Sequence, residues 1–399
     1  MSGTAENNSS KYVNALPHSS GLTFAASSKT EPWFTNLNDL MSEKVGGKVI
    51  FATDDRYGVA ENILQASEPE WKEGVFTEHG KWVDGWSTAR NEDPDGRHWC
   101  VVELGVPGLI RGIDVDTLYF SGNFAEKVSI QAARLNKSFP ARGGHVGGSK
   151  SDEDDWSIAA FESENWASLV PRSDLKPGYP TSSHNYFEVD WEEMWTHIRL
   201  NLFPDGGIAR LRVYGQAKKD WTKAQNDELV NLVAMENGGI CVSYSSACSG
   251  HARNVIAPGD ATAMEEGWVT SSTGLPSGDS CGPVSEWAVF KLGHPGVIDK
   301  VEVDTSYFKG NFPDSYKIDG CLITNRKDEK TLLHDPSQMS WRAVLPVKKL
   351  SADNLHVYLN LPQQEVISHV RLAVVPNGGI SRLRLWGYPQ TSAELKAKL

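Results

Sequence analysis

The chain of 399 residues is too long for a single hydrophobic core and suits two domains. Its 51 acidic and 39 basic residues give a net charge of −12 without a clustered basic run, which argues against nucleic acid or an anionic membrane as a partner. No apolar run approaches the length that spans a membrane. The five scattered cysteines form no Cys-x-x-Cys pair and indicate reduced thiols in an intracellular protein.

An internal duplication divides the chain. Residues 203–215, FPDGGIARLRVYG, return as residues 375–387, VPNGGISRLRLWG. Residues 114–124 return in the same way at residues 302–312. We therefore predict a flexible N-terminal segment, a first repeat, a linker, a second repeat and a C-terminal tail, at residues 1–43, 44–216, 217–237, 238–388 and 389–399.

Short runs of alternating apolar and polar residues, separated by Gly and Pro, predict strands with one buried face in both repeats. The pattern favours an all-β protein of two tandem antiparallel β-sandwiches, with a jelly-roll strand order as the preferred version. The end of each repeat is predicted to be a hairpin that turns at Gly-Gly, with Arg210 and Arg212 on one solvated face. Residues 138–155, the surplus of repeat one over repeat two, are predicted to be a surface loop.

Comparison of the two repeats separates fold from function. Residues that both repeats keep, such as Asp116 and Asp304, are predicted to belong to the scaffold. One block is confined to repeat one and comprises residues 52–55 (ATDD), 60–62 (AEN) and 76–90. Repeat two has the sequence SYSS, residues 243–246, in place of the paired aspartates. Repeat one is therefore predicted to carry the catalytic site.

This block, together with residues 114–123 and the sequence PDGGIAR at residues 204–210, resembles the allantoicase family, whose members are also built from two repeats. The resemblance covers residues 44–388. It implies two jelly-roll domains of the galactose-binding-like type, hydrolysis of allantoate to ureidoglycolate and urea in purine degradation, and a homo-oligomer. The sequence departs from the family pattern at Ser87 and at residues 91–93, which leaves two alternatives open, a catalytically degenerate relative and a non-enzymatic jelly-roll binding protein.

Allantoate carries a carboxylate and two ureido groups on one carbon. Its hydrolysis needs a proton for the leaving nitrogen, a base for water and a cation for the carboxylate, which acidic and basic side chains together supply. We therefore predict that the acid and the base are among Asp54, Asp55, Glu61 and Glu78. We predict that the substrate-binding residues are among Asn62, Lys81, Trp82, Asp84, Trp86 and Arg90.

Structural roles remain alternatives for several of these residues. The aspartates at 54 and 55 also suit the capping of a turn, and the tryptophans at 82 and 86 also suit a hydrophobic core. No cofactor is predicted, and a requirement for a divalent metal stays open.

The last three residues, Ala397-Lys398-Leu399, differ from the Ser-Lys-Leu peroxisomal address by one small residue. We predict a peroxisomal location, with the cytoplasm as the alternative.

Overall fold

The computed structural model of the protein describes residues 31–142, 162–223, 228–271, 285–359, 361 and 365–390. These residues form two similar halves that consist mainly of β-strands, as predicted. None of the described helices is long and apolar enough to cross a membrane. Four of the cysteines, Cys100, Cys241, Cys248 and Cys321, are free thiols, and Cys281 lies outside the described residues.

Within the described residues, the strands of the first repeat are β1 Asn38–Asp39, β2 Lys48–Ala52, β3 Phe76–Thr77, β4 Gly80–Lys81, β5 Trp86–Ser87, β6 His98–Asp116, β7 Lys127–Ala133, β8 Ala167–Asp174, β9 His184–Glu188, β10 Met194–Phe203, β11 Gly207–Ile208 and β12 Arg210–Ala217. Those of the second repeat are β13 Val230–Asn231, β14 Ile240–Tyr244, β15 Trp268–Val269, β16 Glu286–Asp304, β17 Ser315–Cys321, β18 Arg342–Lys349, β19 Leu355–Leu359, β20 Ile367–Val375, β21 Gly379–Ile380 and β22 Arg382–Pro389.

The described helices are short. One is an α-helix, Arg326–His334. The others are 3-10 helices at Trp33–Asn36, Glu43–Val45, Ala60–Leu64, Ser163–Asn165, Trp221–Lys223, Met235–Asn237, Ala252–Ile256, Met264–Glu266 and Pro336–Gln338.

One long strand in each repeat runs through both layers of a sandwich. The first half of β6 pairs with β2 and with β10. Its second half pairs with β9 and β12. In repeat two, β16 pairs in the same way with β14, β20, β19 and β22. The core of repeat one lies between the layers, where Val102 and Leu200 of one layer and Ile113 and Leu211 of the other belong to one buried cluster.

The predicted closing hairpin is wrong, although its turn is present. β10 and β12 flank the Pro-Asp-Gly-Gly turn but pair with β6 instead of with each other, because the turn carries the chain from one layer to the other. Gly206 has a φ of 120°, and a Cβ at this position would lie 2.7 Å from backbone atoms of Phe124 and Ala125. The turn therefore requires glycine here, as predicted.

Repeat one begins earlier in the chain than predicted. Phe34, Leu37, Leu40 and Met41 lie in the predicted flexible segment, yet all four are buried. The last two join the core of repeat one, whereas the first two pack in a cluster shared with repeat two. β1 pairs with β12, and β13, which lies in the predicted linker, pairs with β22 in the same way. These four apolar residues thus pack against both repeats.

Asp116 and Asp304 cap equivalent turns at the ends of β6 and β16. Asp116 Oδ1 accepts a hydrogen bond from the N–H of Leu118, and Asp304 Oδ1 accepts one from the N–H of Ser306, both at 2.8 Å. The same contact in both repeats supports the predicted scaffold role.

A histidine–aspartate pair lies in β9 and β6 of repeat one. His184 Nδ1 lies 2.8 Å from Asp114 Oδ2, and 45% of the His184 side chain is exposed while Asp114 is buried. The hydrogen bond that His184 donates to this carboxylate raises the pKa of His184 from 6.5 to about 9.

We expect this pair to make the free energy of unfolding fall at alkaline pH. Folding raises the pKa of His184 from 6.5 to about 9, so the stabilisation is complete below pH 6.5 and is lost as the pH rises through 9. Because water screens this half-exposed pair, the loss should be about 1 kcal/mol. Urea unfolding at pH 6 and pH 10 should show the loss in the parent chain and a smaller loss in His184→Gln, and equal losses would contradict the assignment.

Candidate active site

Three charged side chains of repeat one form the candidate site. Arg142 Nη2 lies 2.6 Å from Asp55 Oδ2, and the same guanidinium binds Glu61 through Nε–Oε1 and Nη2–Oε2 contacts of 2.9 Å each. Only 1% of the Asp55 side chain is exposed, compared with 33% for Glu61 and 20% for Arg142. The cluster thus combines one buried carboxyl group, one accessible carboxyl group and a cation that both share.

The elements that hold the two acids are anchored in the core. Asp55 lies in the loop that follows β2, the strand that pairs with the first half of β6. Glu61 lies in the 3-10 helix Ala60–Leu64, in which residues 60, 63 and 64 are buried in the hydrophobic core. Glu61 stays partly exposed beside these buried neighbours, so its carboxylate is accessible to solvent.

The cation comes from the surplus loop of repeat one. At its start, Ser138 Oγ donates to Glu103 Oε1 at 2.7 Å, and Phe139 N–H donates to Glu103 Oε2 at 3.1 Å. Arg142 N–H donates to Val49 O at 3.3 Å. These three bonds fix the loop against β6 and β2, so the Arg142 guanidinium reaches the acids from an anchored backbone. The rest of the loop, from residue 143, lies outside the described residues.

The two carboxyl groups differ in their surroundings. Burial raises the pKa of Asp55, and the Arg142 guanidinium opposes this increase, whereas the nearby charges of Glu61 and Asp54 add to it. A raised pKa favours the protonated form of a carboxyl group, which is the form that a general acid needs.

The structure separates the two adjacent aspartates. Asp54 Oδ1 accepts a hydrogen bond from the N–H of Ala89 at 2.5 Å, and Ser246 Oγ accepts the equivalent bond in repeat two at 3.0 Å. Asp54 therefore corresponds to Ser246 and acts as a turn cap, the alternative that the sequence left open. Asp55 corresponds to Ala247, one residue away from the alignment that the sequence suggested. Repeat two thus replaces Asp54 by a serine that forms the same cap. At the position of Asp55 it has an alanine, which replaces neither the charge nor the hydrogen bonds of the carboxyl group.

Asn62 and Trp86 belong to a framework that both repeats share. Asn62 Nδ2 donates to a backbone carbonyl at 3.1 Å, and Asn254 makes the same bond in repeat two. Trp86 and Trp268 are fully buried, and each indole N–H donates to a backbone carbonyl at 2.8 Å. These side chains hold the loops in place, so the prediction that Asn62 is specific to repeat one is wrong.

Asp84 also has a structural partner. Its Oδ2 lies 2.7 Å from Arg210 Nη2, and 8% and 1% of the two side chains are exposed. Repeat two forms an equivalent ion pair through Glu266. Arg210 and Arg212 both donate to backbone carbonyls of residues 65–68. The predicted solvated face for these arginines is therefore wrong, because their guanidinium groups hold the loop after Glu61 in place.

Four predicted site residues make no described hydrogen bond, ion pair or ring contact with the cluster: Glu78, Lys81, Trp82 and Arg90. Glu78 is 80% exposed and pairs only with the neighbouring His79 among the described residues. Lys81 Nζ lies 3.8 Å from the ring centroid of Trp71, and Lys72 Nζ lies 4.6 Å from that of Trp82. Arg90 is exposed. The structure therefore does not bring these four residues into contact with Asp55, Glu61 or Arg142.

Repeat two uses the equivalent position for packing between the repeats. Arg253 occupies the place of Glu61, donates to Thr35 O and lies 5.5 Å from the ring centroid of Tyr214. His251 Nε2 lies 3.3 Å from Asn36 Oδ1 in the same N-terminal segment. Repeat two has alanine and arginine in place of Asp55 and Glu61, and the N-terminal segment of repeat one packs over them. The equivalent position in repeat two therefore offers no acid–base pair.

Sequence reasoning missed Arg142. Its signal was present, because the residue lies in a long segment of repeat one that repeat two lacks. The comparison that selected residues 52–62 would have selected this segment too if insertions had been weighed together with substitutions.

Comparison with known proteins identifies the family. The family model described as "Allantoicase repeat" matches the chain twice, at residues 38–218 and 230–390. The chain belongs to the allantoicase family. Proteins named "Probable allantoicase" from two strains of Acinetobacter baumannii are each 38% identical over 354 residues, which cover 88% of this chain and 93% of theirs. The crystal structure of allantoicase from Saccharomyces cerevisiae is 29% identical, with a TM-score of 0.66 over 88% of this chain and 93% of that one.

Two features of this allantoicase-family chain bear on its chemistry. Ser87, which departs from the family pattern, is buried in β5 and pairs through its backbone with Gly58 and Gly207. It thus belongs to the framework, and its side chain makes no described bond to the acid cluster. No group of three His, Cys, Asp or Glu side chains suited to a metal ion occurs among the described residues, and the cation beside Asp55 and Glu61 is Arg142.

Proposed function

We propose that the chain hydrolyses allantoate to ureidoglycolate and urea at the Asp55–Glu61–Arg142 cluster. Membership of the allantoicase family supports the reaction. The observation that carries the choice of site is that both acids and the cation are confined to repeat one, whereas the hydrogen bonds of the neighbouring Asn62 and Asp54 recur in repeat two.

The surroundings of the two acids suggest their roles. Asp55, whose pKa burial raises, donates a proton to the leaving ureido nitrogen as the C–N bond breaks. The remaining ureido nitrogen supplies electron density to the reacting carbon. Glu61, the more exposed carboxylate, removes a proton from the water that then forms the new C–O bond. Urea leaves with the proton from Asp55, and exchange with solvent restores both acids.

Arg142 provides the cation for the substrate carboxylate. Its Nε and Nη2 atoms already bind the acids, while Nη1 has no partner among the described residues. Two N–H groups of Nη1 are thus available to a carboxylate, for which a guanidinium is the preferred ligand. The same side chain would hold the substrate and fix the geometry of both acids.

Incubation of the purified chain with allantoate tests the function. We expect urea and ureidoglycolate in equal amounts, measured by a coupled urea assay and by chromatography. Binding of allantoate without urea release would favour the degenerate relative, and the absence of both would favour a jelly-roll protein with another ligand.

For cellular location, we infer that Ala397-Lys398-Leu399 directs the protein to peroxisomes. These residues lie outside the described part of the chain. A fluorescent reporter that ends in residues 388–399 should collect in peroxisomes, and the same reporter without the last three residues should stay in the cytosol. A diffuse signal from both reporters would overturn the inference.

A further inference from the structure

A buried arginine lies on β10 of repeat one, outside the acid cluster. The side chain of Arg199 is buried, and its guanidinium carbon lies 4.0 Å from the ring centroid of Trp99. Its Nε donates to Asn201 Oδ1 at 2.9 Å, and its Nη1 donates to Ser163 Oγ at 2.7 Å. Its Nη2 is also buried but makes no hydrogen bond within the described part of the chain. Because a buried donor without an acceptor costs free energy, this atom indicates a position for a further ligand.

An exposed carboxylate is shared between this atom and a second arginine. Glu164 Oε1 lies 3.7 Å from Arg199 Nη2, which is too far for a hydrogen bond, and 2.6 Å from Arg97 Nη2. The Glu164 and Arg97 side chains are 69% and 40% exposed. Burial and the charge of Arg97 lower the pKa of Arg199 to about 10. Two guanidinium groups thus meet at one carboxylate that is free to turn into solvent, and an exposed ion pair of this kind is weak.

Repeat two holds the equivalent arginine differently. Gln131 of β7 is the strand partner of Arg199, and Asp319 of β17 is that of Arg371, in matching registers. Asp319 is buried, and its Oδ2 accepts a hydrogen bond from Arg371 Nη2 at 2.8 Å. Gln131 carries no charge, and its amide donates to the backbone carbonyl of Glu164 at 2.8 Å. Repeat one therefore has a neutral side chain where repeat two has a buried acid that is fixed in the sheet.

The two guanidinium groups determine the chemical class of the ligand. An anion that takes the place of the Glu164 carboxylate contacts Arg199 Nη2 and Arg97 Nη2 at the same time. Guanidinium groups bind carboxylates and phosphates through paired N–H···O bonds. The charges of two arginines are balanced by a dianion and not by a single carboxylate, so the site favours a phosphate group.

We propose that Arg97 and Arg199 bind a small phosphate dianion, which displaces the carboxylate of Glu164 into solvent. The ligand is free phosphate or a phosphate monoester, because both present the same oxygen atoms. The site adjoins the loop that carries the acids, since Trp99 and Thr53 exchange hydrogen bonds of 2.9 Å, but it shares no residue with the Asp55–Glu61–Arg142 cluster. The proposal is independent of the catalytic assignment, because its test measures binding and not turnover.

Calorimetric titration of the purified full chain with inorganic phosphate at pH 8 tests the site. We expect saturable binding to the parent, and binding about tenfold tighter in Glu164→Gln, which removes the competing carboxylate. Arg97→Gln should bind phosphate at least about tenfold more weakly. Lys317→Gln is the matched control, because it removes a partly exposed cation beside Asp319 in repeat two, and it should keep the affinity of the parent. No binding to the parent, or equal affinities of the parent and Arg97→Gln, would overturn the proposal.

Thermal unfolding provides a second readout, which a purely structural ion pair would not change. Phosphate should raise the unfolding midpoint of the parent more than that of Arg97→Gln, in which only the general effect of the salt remains. Titration with glycerol 3-phosphate then distinguishes the two sources of the dianion. An affinity equal to or above that of phosphate assigns a phosphate monoester, and a lower affinity assigns the free ion. Equal increases of the midpoint in the parent and in Arg97→Gln would refute binding at this site.

Discussion

Asp55→Asn and Glu61→Gln should each lower kcat/KM for urea release by about 10²–10⁴-fold, the usual cost of removing a general acid or base. Both variants keep the size of the side chain and one acceptor oxygen. Asp55→Asn removes a carboxyl group whose pKa is raised by burial, so its temperature midpoint of unfolding should equal or exceed that of the parent. Steady-state urea release and thermal unfolding, measured on the same preparations, check both expectations.

The combination of lost activity and retained stability is what distinguishes a functional acid from a structural one. If Asp55 only fixed a turn, its replacement would lower the free energy of unfolding and leave the residual folded protein active. Unchanged kcat/KM in Asp55→Asn would remove this residue from the chemistry, and a midpoint far below that of the parent would show a structural role.

Arg142→Met should damage both activity and stability. Loss of the substrate's cation should lower kcat/KM by about 10²–10³-fold. The variant also leaves the buried Asp55 without its partner, which should cost about 3 kcal/mol of unfolding free energy at pH 8. Without the cation the pKa of Asp55 rises further, so protonation at pH 5 should recover much of the stability. Denaturant unfolding at both pH values and steady-state kinetics measure these effects.

A double variant provides the control for this interpretation. Asp55→Asn combined with Arg142→Met removes the buried charge together with its partner, so it should be more stable at pH 8 than Arg142→Met alone. Arg142→Lys keeps the charge without the bidentate fork and should lie between parent and Arg142→Met in kcat/KM. Equal stability of Arg142→Met at pH 5 and pH 8 would contradict the assigned ion pair.

The fold was predictable because the sequence patterns that indicate it are local and occur in both repeats. Alternation of apolar and polar residues identified strands, and the duplicated Gly-Gly turn identified two equivalent domains. Alternation does not specify the partner of a strand, which is why β10 and β12 were predicted to pair with each other although both pair with β6. A strand of 19 residues that passes through two layers has no distinct local pattern.

The site was predictable only in part, for a related reason. Asp55 and Glu61 stood out because repeat two has no acid at either position, but Asp54 seemed equivalent to Asp55 until the shared turn cap fixed the alignment. Lys81 and Arg90 were the basic residues predicted to bind the substrate because they lie in the block confined to repeat one. The basic residue that actually contacts the acids, Arg142, lies 81 residues after Glu61, and its approach depends on loop anchoring through Glu103.

The most direct test of the account replaces each adjacent aspartate by its counterpart in repeat two and compares urea release from allantoate. Asp54→Ser keeps the cap that Ser246 forms, and we predict a kcat/KM close to that of the parent. Asp55→Ala removes the buried carboxyl group, and we predict a loss of at least about 10²-fold. Equal activity of the two variants, or a greater loss in Asp54→Ser than in Asp55→Ala, would contradict a catalytic site built on Asp55, Glu61 and Arg142.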